Sequence, residues 1–81
     1  MGVRVRVLVF ASYAEALGTD ALEVELAPGA TVGTCVAEIR RRTGEGVPPN
    51  ALVAVNRRYA QPAQRLAEGD EIALIPPVAG G

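Results

Sequence analysis

The chain contains no lysine and no histidine; all eight of its basic residues are arginine, set against nine acidic ones. Without lysine there is no Schiff-base amine and no phosphate-loop cation, and without histidine there is no imidazole acid–base group and no Cys–His nucleophile pair. Cys35 is the only cysteine, so an internal disulfide is excluded. A zinc site also lacks its ligands. Tryptophan is absent, and aromatic residues make up 4% of the 81. A net charge of −1 and a pI near 5.3 leave no basic footprint for nucleic acid. No apolar run reaches membrane-spanning length, and the N-terminus alternates arginine with valine. Neither a signal peptide nor a membrane helix is expected, and the reading is a cytoplasmic chain with no membrane partner.

What remains is enough apolar material for one modest core. The apolar share is 49%, but 14 of those residues are alanine, and a chain this short supports one domain. Val3, Val5, Val7 and Val9 alternate strictly with Arg4, Arg6 and Leu8. This is a strand whose second face turns apolar at Leu8 and Phe10, as in a central strand. Ala11 to Leu17 reads as a short helix with Ser12 as N-cap, Glu15 three residues on in a capping-box spacing, and Gly18 as terminator. Leu22, Val24 and Leu26 alternate with Glu23 and Glu25 as a second strand, broken by Pro28-Gly29. Thr31 is placed to cap the one substantial helix, where Val32, Cys35, Val36 and Ile39 fall on a single stripe. Arg40, Arg41 and Arg42 complement the negative end of its dipole, and Gly44 follows as C′ residue. Leu52–Val55 is a third strand, turned by Asn56-Arg57-Arg58 into a short partner around Tyr59. Gly69-Asp70 then leads into a last strand at Glu71–Ile75. The order predicts an α+β fold of the β-grasp, or ubiquitin-like, kind: a mixed sheet packed on one main helix. A ferredoxin-like fold would need a second long helix.

Little in residues 1–75 could carry chemistry. Cys35 lies on the apolar stripe with no base to assist it, so it is expected in the core. The three arginines are expected to be a solvated helix cap rather than a dock for an acidic partner. Gly69-Asp70-Glu71 makes a turn, since two adjacent carboxylates are no metal site. Residues 76–81 differ: Pro76-Pro77-Val78-Ala79-Gly80-Gly81. The prolines have no N–H for a sheet ladder and stiffen the exit. Six residues reach about 20 Å when extended, and paired glycines can pass through a channel too narrow for side chains. The expected arrangement is therefore a β-grasp domain over 1–75 and an extended tail over 76–81, with Gly81 as the reactive position. Phe10, Leu74 and Ile75 are candidates for an apolar patch by which the domain seats beside a partner's pocket.

From Leu66-Ala67-Glu68-Gly69-Asp70-Glu71 through Ile75-Pro76-Pro77-Val78-Ala79-Gly80-Gly81, the chain resembles the family of ubiquitin-like sulfur carriers, and within it the small subunits of molybdopterin synthase. Phe10-Ala11, Gly29-Ala30-Thr31-Val32 and Ala54-Val55-Asn56 add to the likeness, which covers nearly the whole length. Ala14 departs from a common arginine, and Leu74-Ile75 from a common aromatic before Pro-Pro. The resemblance implies that Gly81 is adenylated by a separate activating enzyme with Mg-ATP. A persulfide-forming sulfur donor then converts it to a thiocarboxylate. The sulfur passes to cyclic pyranopterin monophosphate in the large synthase subunit, within a heterotetramer. Pro76, Pro77, Val78, Ala79 and Gly80 would thread that subunit's pocket, and the catalytic groups would lie there. This chain would bind no cofactor or metal of its own and would not be catalytic alone. Carriers for thiamine thiazole or cysteine synthesis share the fold and the Gly-Gly. A ubiquitin-like binding module with an inert tail and a protein-conjugation modifier are further alternatives, although a lysine-free chain cannot build lysine-linked chains on itself.

Overall fold

The computed structural model describes residues 2–76, the side chain of Glu45 excepted. Pro77, Val78, Ala79, Gly80 and Gly81 lie outside the described residues, so of the tail only Pro76 is placed. The elements run β1 (Val3–Val9), α1 (Ala11–Leu17), β2 (Ala21–Leu26), α2 (Val32–Thr43), a single 3-10 turn (Gly44–Gly46), β3 (Leu52–Val55), β4 (Arg58–Tyr59) and β5 (Glu71–Ile75). The sheet order is β2-β1-β5-β3-β4. β1 pairs antiparallel with β2 and parallel with β5, while β3 pairs antiparallel with both β5 and β4. This is the expected β-grasp: one mixed sheet with the long helix across one face. Among the described residues no helix is long and apolar enough to cross a membrane.

Period-two alternation builds the layer beneath α2. Val5, Val7 and Val9 of β1 point inward beside Val24 and Leu26 of β2, Ile72 and Leu74 of β5, and Val53 and Val55 of β3, all buried. The stripe Val32, Cys35, Val36 and Ile39 closes over them and is itself buried. Thr31 caps α2 as expected. Its hydroxyl accepts from the Thr34 amide at 3.2 Å while the Thr34 hydroxyl accepts from the Thr31 amide, so the reciprocal box is closed by threonine.

α1 begins differently from the expectation. Phe10, not Ser12, is its N-cap residue, and no side chain caps it. The main chain starts the helix instead: the Phe10 carbonyl accepts from the amides of Tyr13 and Ala14 at 3.0 and 3.3 Å. Ser12 is carried inside the first turn. Gly18 ends the helix as expected, in the left-handed region with φ 76°. The 3-10 turn, absent from the sequence reading, packs under α1. A β-carbon at Gly46 would come within 2.5 Å of the Ala16 Cβ, so only glycine lets the two approach.

The β3–β4 hairpin turns on two residues, Asn56 and Arg57, at φ 51° and 72°, the pattern of a type I′ turn. Asn56 suits it and also ties the hairpin to β5. Its Oδ1 accepts from the Glu71 amide at 3.0 Å, and its Nδ2 donates to Asp70 Oδ1 at 2.9 Å. Asp70 Oδ2 in turn accepts from the Ala67 amide at 2.7 Å, so Gly69-Asp70-Glu71 is a closed turn. Arg57 has no such reason to be left-handed, and the conformation costs an ordinary L-residue about 1–2 kcal/mol. Arg57→Gly removes that cost at the expense of greater unfolded-chain freedom. It is expected to raise the unfolding free energy by about 0.5–1 kcal/mol in urea titration; a loss of stability would show that the Arg57 side chain holds the turn.

Candidate docking face at the tail exit

Because β1 and β5 are parallel, their C-terminal ends lie at the same end of the sheet, with Val9 beside Leu74. Phe10 and Ile75 follow one residue later, and there the chain leaves the sheet toward the tail. Directly opposed residues share a face, so the register defines the surface turned away from α2. Leu8 lies beside Ala73, Ala73 opposite Ala54, Ala54 opposite Tyr59, and Ile75 opposite Leu52. Phe10, still extended at φ −134°, continues the outward row from Leu8. Phe10, Leu52 and Tyr59 are the large apolar side chains left exposed among the described residues, at 49%, 53% and 75%. All three belong to this face, and Ile75 is half-buried between them. The other half of the same surface is charged: Arg4 stands opposite Glu25, and Arg6 lies between Glu23 and Glu71. The outer face is thus divided, with its apolar half at the tail exit.

Of the residues expected on this patch, Phe10 and Ile75 lie there and Leu74 does not. Leu74 faces α2 between Val9 and Val53 and is fully buried. Consecutive strand residues point to opposite faces, so Leu74 and Ile75 cannot both line one surface. Leu52 and Tyr59, the most exposed members, went unrecognised because each becomes a neighbour only through cross-strand register. Sequence spacing carries no such signal. Pro76 is half-buried at the exit; Pro77, Val78, Ala79, Gly80 and Gly81 lie beyond the description.

A larger groove, about 310 Å³, runs between the start of α2 and the β3–β4 edge, walled by Val32, Val36, Val53, Ala60 and Pro62 with Leu52 and Tyr59 on its rim. It holds no acid, base or thiol. The three arginines are tied into the end of α2, with one carboxylate among them. Arg41 and Arg42 both bond Glu38, with Nη2 and Nε on its Oε2 at 2.6 and 3.0 Å. Arg40 Nε donates to the Val47 carbonyl at 2.9 Å. The hydrogen bonds from Arg41 and then Arg42 hold the Glu38 carboxyl below its ordinary pKa.

Against this geometry the comparisons with known proteins are specific. A family model described as "ThiS family" matches residues 7–81. The chain belongs to the ThiS family. The "Molybdopterin synthase sulfur carrier subunit" of Chlamydomonas reinhardtii is 32% identical over 83 residues, spanning 98% of this chain and 100% of that one. A Pyrococcus furiosus structure named as molybdopterin converting factor, subunit 1, superposes with a TM-score of 0.83 at 31% identity, covering 94% and 99% of the two chains. A Helicobacter pylori structure, the "Protein-protein complex of subunit 1 and 2 of Molybdopterin-converting factor", superposes at 0.65 with 22% identity over 98% and 100%, a likeness of fold. In this member of the ThiS family, Cys35 lies in the core, where the apolar stripe of α2 puts it. It is completely buried, and burial pushes its thiol from 9.0 up to about 11, Arg42 pulling it down and Glu38 pushing it up by smaller amounts.

The raised thiol pKa sets a pH dependence. Below pH 9 the thiol is protonated in both states, so the folded state keeps its full advantage. Between pH 9 and 11 the unfolded chain releases a proton that the folded chain retains, and stability falls as pH rises, by roughly 3 kcal/mol once the folded thiol also titrates. The unfolding free energy of the wild-type chain is expected to fall more steeply over pH 9–11 than that of Cys35→Ala. Equal slopes in the two proteins would contradict the burial of the thiol.

Proposed function

We propose that this chain is the sulfur carrier of a molybdopterin synthase, with residues 76–81 as the tail that delivers the sulfur. The observation that carries the reading is the coincidence of the exposed apolar half-face, Phe10, Leu52, Tyr59 and Ile75, with the end of the sheet from which the tail departs. A tail of about 20 Å reach enters a partner's pocket only when the domain seats beside the opening, and an apolar face at that spot is what such seating uses. The names of the relatives support the same pathway.

The chemistry follows from the terminal carboxylate. A carboxylate resists nucleophilic attack, so one of its oxygens first attacks the α-phosphorus of Mg-ATP on a separate adenylating enzyme, releasing pyrophosphate. A persulfide sulfur then displaces AMP from the Gly81 carbonyl carbon, and reductive cleavage of the S–S bond by a thiol leaves the thiocarboxylate. In the large subunit that sulfur passes to cyclic pyranopterin monophosphate, and the carrier returns as a plain carboxylate. Two such cycles build one dithiolene, which suits a heterotetramer of two carriers and two large subunits in the cytoplasm. On this chain no His, no Lys and no accessible thiol competes for the activated terminus. The acids and bases of the transfer are assigned to the partner.

Two substitutions test the reading. Gly80→Val places a β-branched side chain in the tail. Unfolding free energy is expected to change by less than about 0.5 kcal/mol, while molybdopterin formation from thiocarboxylated carrier, large subunit and cyclic pyranopterin monophosphate collapses. Unimpaired formation would refute threading. A wild-type carrier that fails in this assay yet supports thiazole or cysteine synthesis would move the chain to another sulfur pathway. Phe10→Asp places a carboxylate in the apolar face at a helix N-cap, where Asp is itself favourable. Stability is expected to hold or to rise by up to about 1 kcal/mol, while affinity for the large subunit, read by calorimetry, falls at least tenfold. Unchanged affinity would remove this face from the interface.

A further inference from the structure

Among the described residues one buried side-chain polar atom has no hydrogen-bond partner, the hydroxyl of Tyr13. The residue is 3% exposed. Buried tyrosine hydroxyls ordinarily find a partner, and leaving one unmet destabilises the fold. A valine or leucine would fill the same core position without that cost. Less than 1 Å² of the hydroxyl is accessible, so bulk solvent does not reach it.

The position of Tyr13 gives the hydroxyl a use. Tyr13 of α1 lines a cleft of about 130 Å³ together with Pro48, Asn50, Ala51, Leu52 and Ile75. Leu52 and Ile75 also belong to the outer apolar face, and Ile75 is the last strand residue before the tail. The cleft is therefore continuous with the docking face, so a protein seated on that face at its Leu52 and Ile75 end reaches it. Its walls are largely apolar, with Asn50 the one polar side chain besides Tyr13. That is poor lodging for water, which needs two to four polar partners, and good lodging for an aliphatic side chain.

We infer that Tyr13 is a contact residue for the protein that receives the tail. A loop of the large synthase subunit places an apolar side chain in the cleft, and a main-chain carbonyl oxygen of that loop accepts a hydrogen bond from the Tyr13 hydroxyl, the ring tilting into the cleft to meet it. The inference rests on the docking reading above and adds to it a specific donor that operates only in the complex. A carrier with an aliphatic residue at this position would seat on the same face without that bond.

Tyr13→Phe deletes the hydroxyl and keeps the ring. The melting temperature of the free variant is expected to equal or exceed that of the wild-type chain, because an unmet polar group has been removed. Its affinity for the large subunit is expected to fall about fivefold to tenfold, the weight of one hydrogen bond. A lower melting temperature would show the hydroxyl already satisfied in the free chain, by water or by a carbonyl, and would overturn the inference. Equal affinities for wild type and Tyr13→Phe would overturn it too, while leaving the docking reading intact. If the wild-type chain fails to bind the large subunit at all, both fall together.

Discussion

β1 and β5 come from opposite ends of the sequence, yet Val7 lies beside Ile72 and Val9 beside Leu74 at the centre of the sheet. Their parallel pairing joins the β1–β2 pair to the β3–β4 hairpin, and without it the molecule would be two unconnected ribbons. It completes the inner layer on which α2 lies, so the burial of Val36 and Ile39 depends on it. It also brings Phe10 and Ile75 to one end of the sheet. Fold and candidate site thus share one origin, since two parallel strands must have their C-terminal ends on the same side.

Much of this was legible in the sequence because most elements announce themselves by period. The alternation of Val3, Val5, Val7 and Val9 marks a strand, and the spacing of Val32, Cys35, Val36 and Ile39 marks a helix stripe. Each feature is local and each appears in the fold. The misreadings occur where local chemistry competes with long-range constraint. Ser12 is a good cap residue three positions before Glu15, but the main chain turns into the helix directly after the extended Phe10, two residues too early for Ser12 to serve. Leu74 and Ile75 are alike in composition and adjacent in sequence, and only the pairing of β5 decides which is core. Leu52 and Tyr59 acquire meaning solely from the strands opposite them.

The charged groups divide along similar lines. Glu38 gathers two of the three arginines at the end of α2, an exposed cluster of small energetic weight in which one carboxylate offsets a single positive charge. On the outer sheet face, Arg4 and Arg6 stand beside Glu23, Glu25 and Glu71, so opposite charges meet there too. The apolar half at the tail exit is the part of the face left without complementary neighbours among the described residues. Tyr13, with its unmet hydroxyl, lies at its margin. Among the described residues that hydroxyl is the one buried side-chain polar atom without a partner.

The central place of β5 also has a mechanical meaning. The chain beyond Pro76 is attached to the strand gripped on both sides, by β1 and by β3. Hydrogen bonds in a sheet run across the strands, so a pull along the tail loads the bonds on both flanks together, in shear, instead of peeling them one after another. An edge strand pulled the same way would carry the load on one flank only. A domain tethered in this way can be drawn against a partner, or held in its pocket by the tail, with the load borne by the part of the sheet that resists it best.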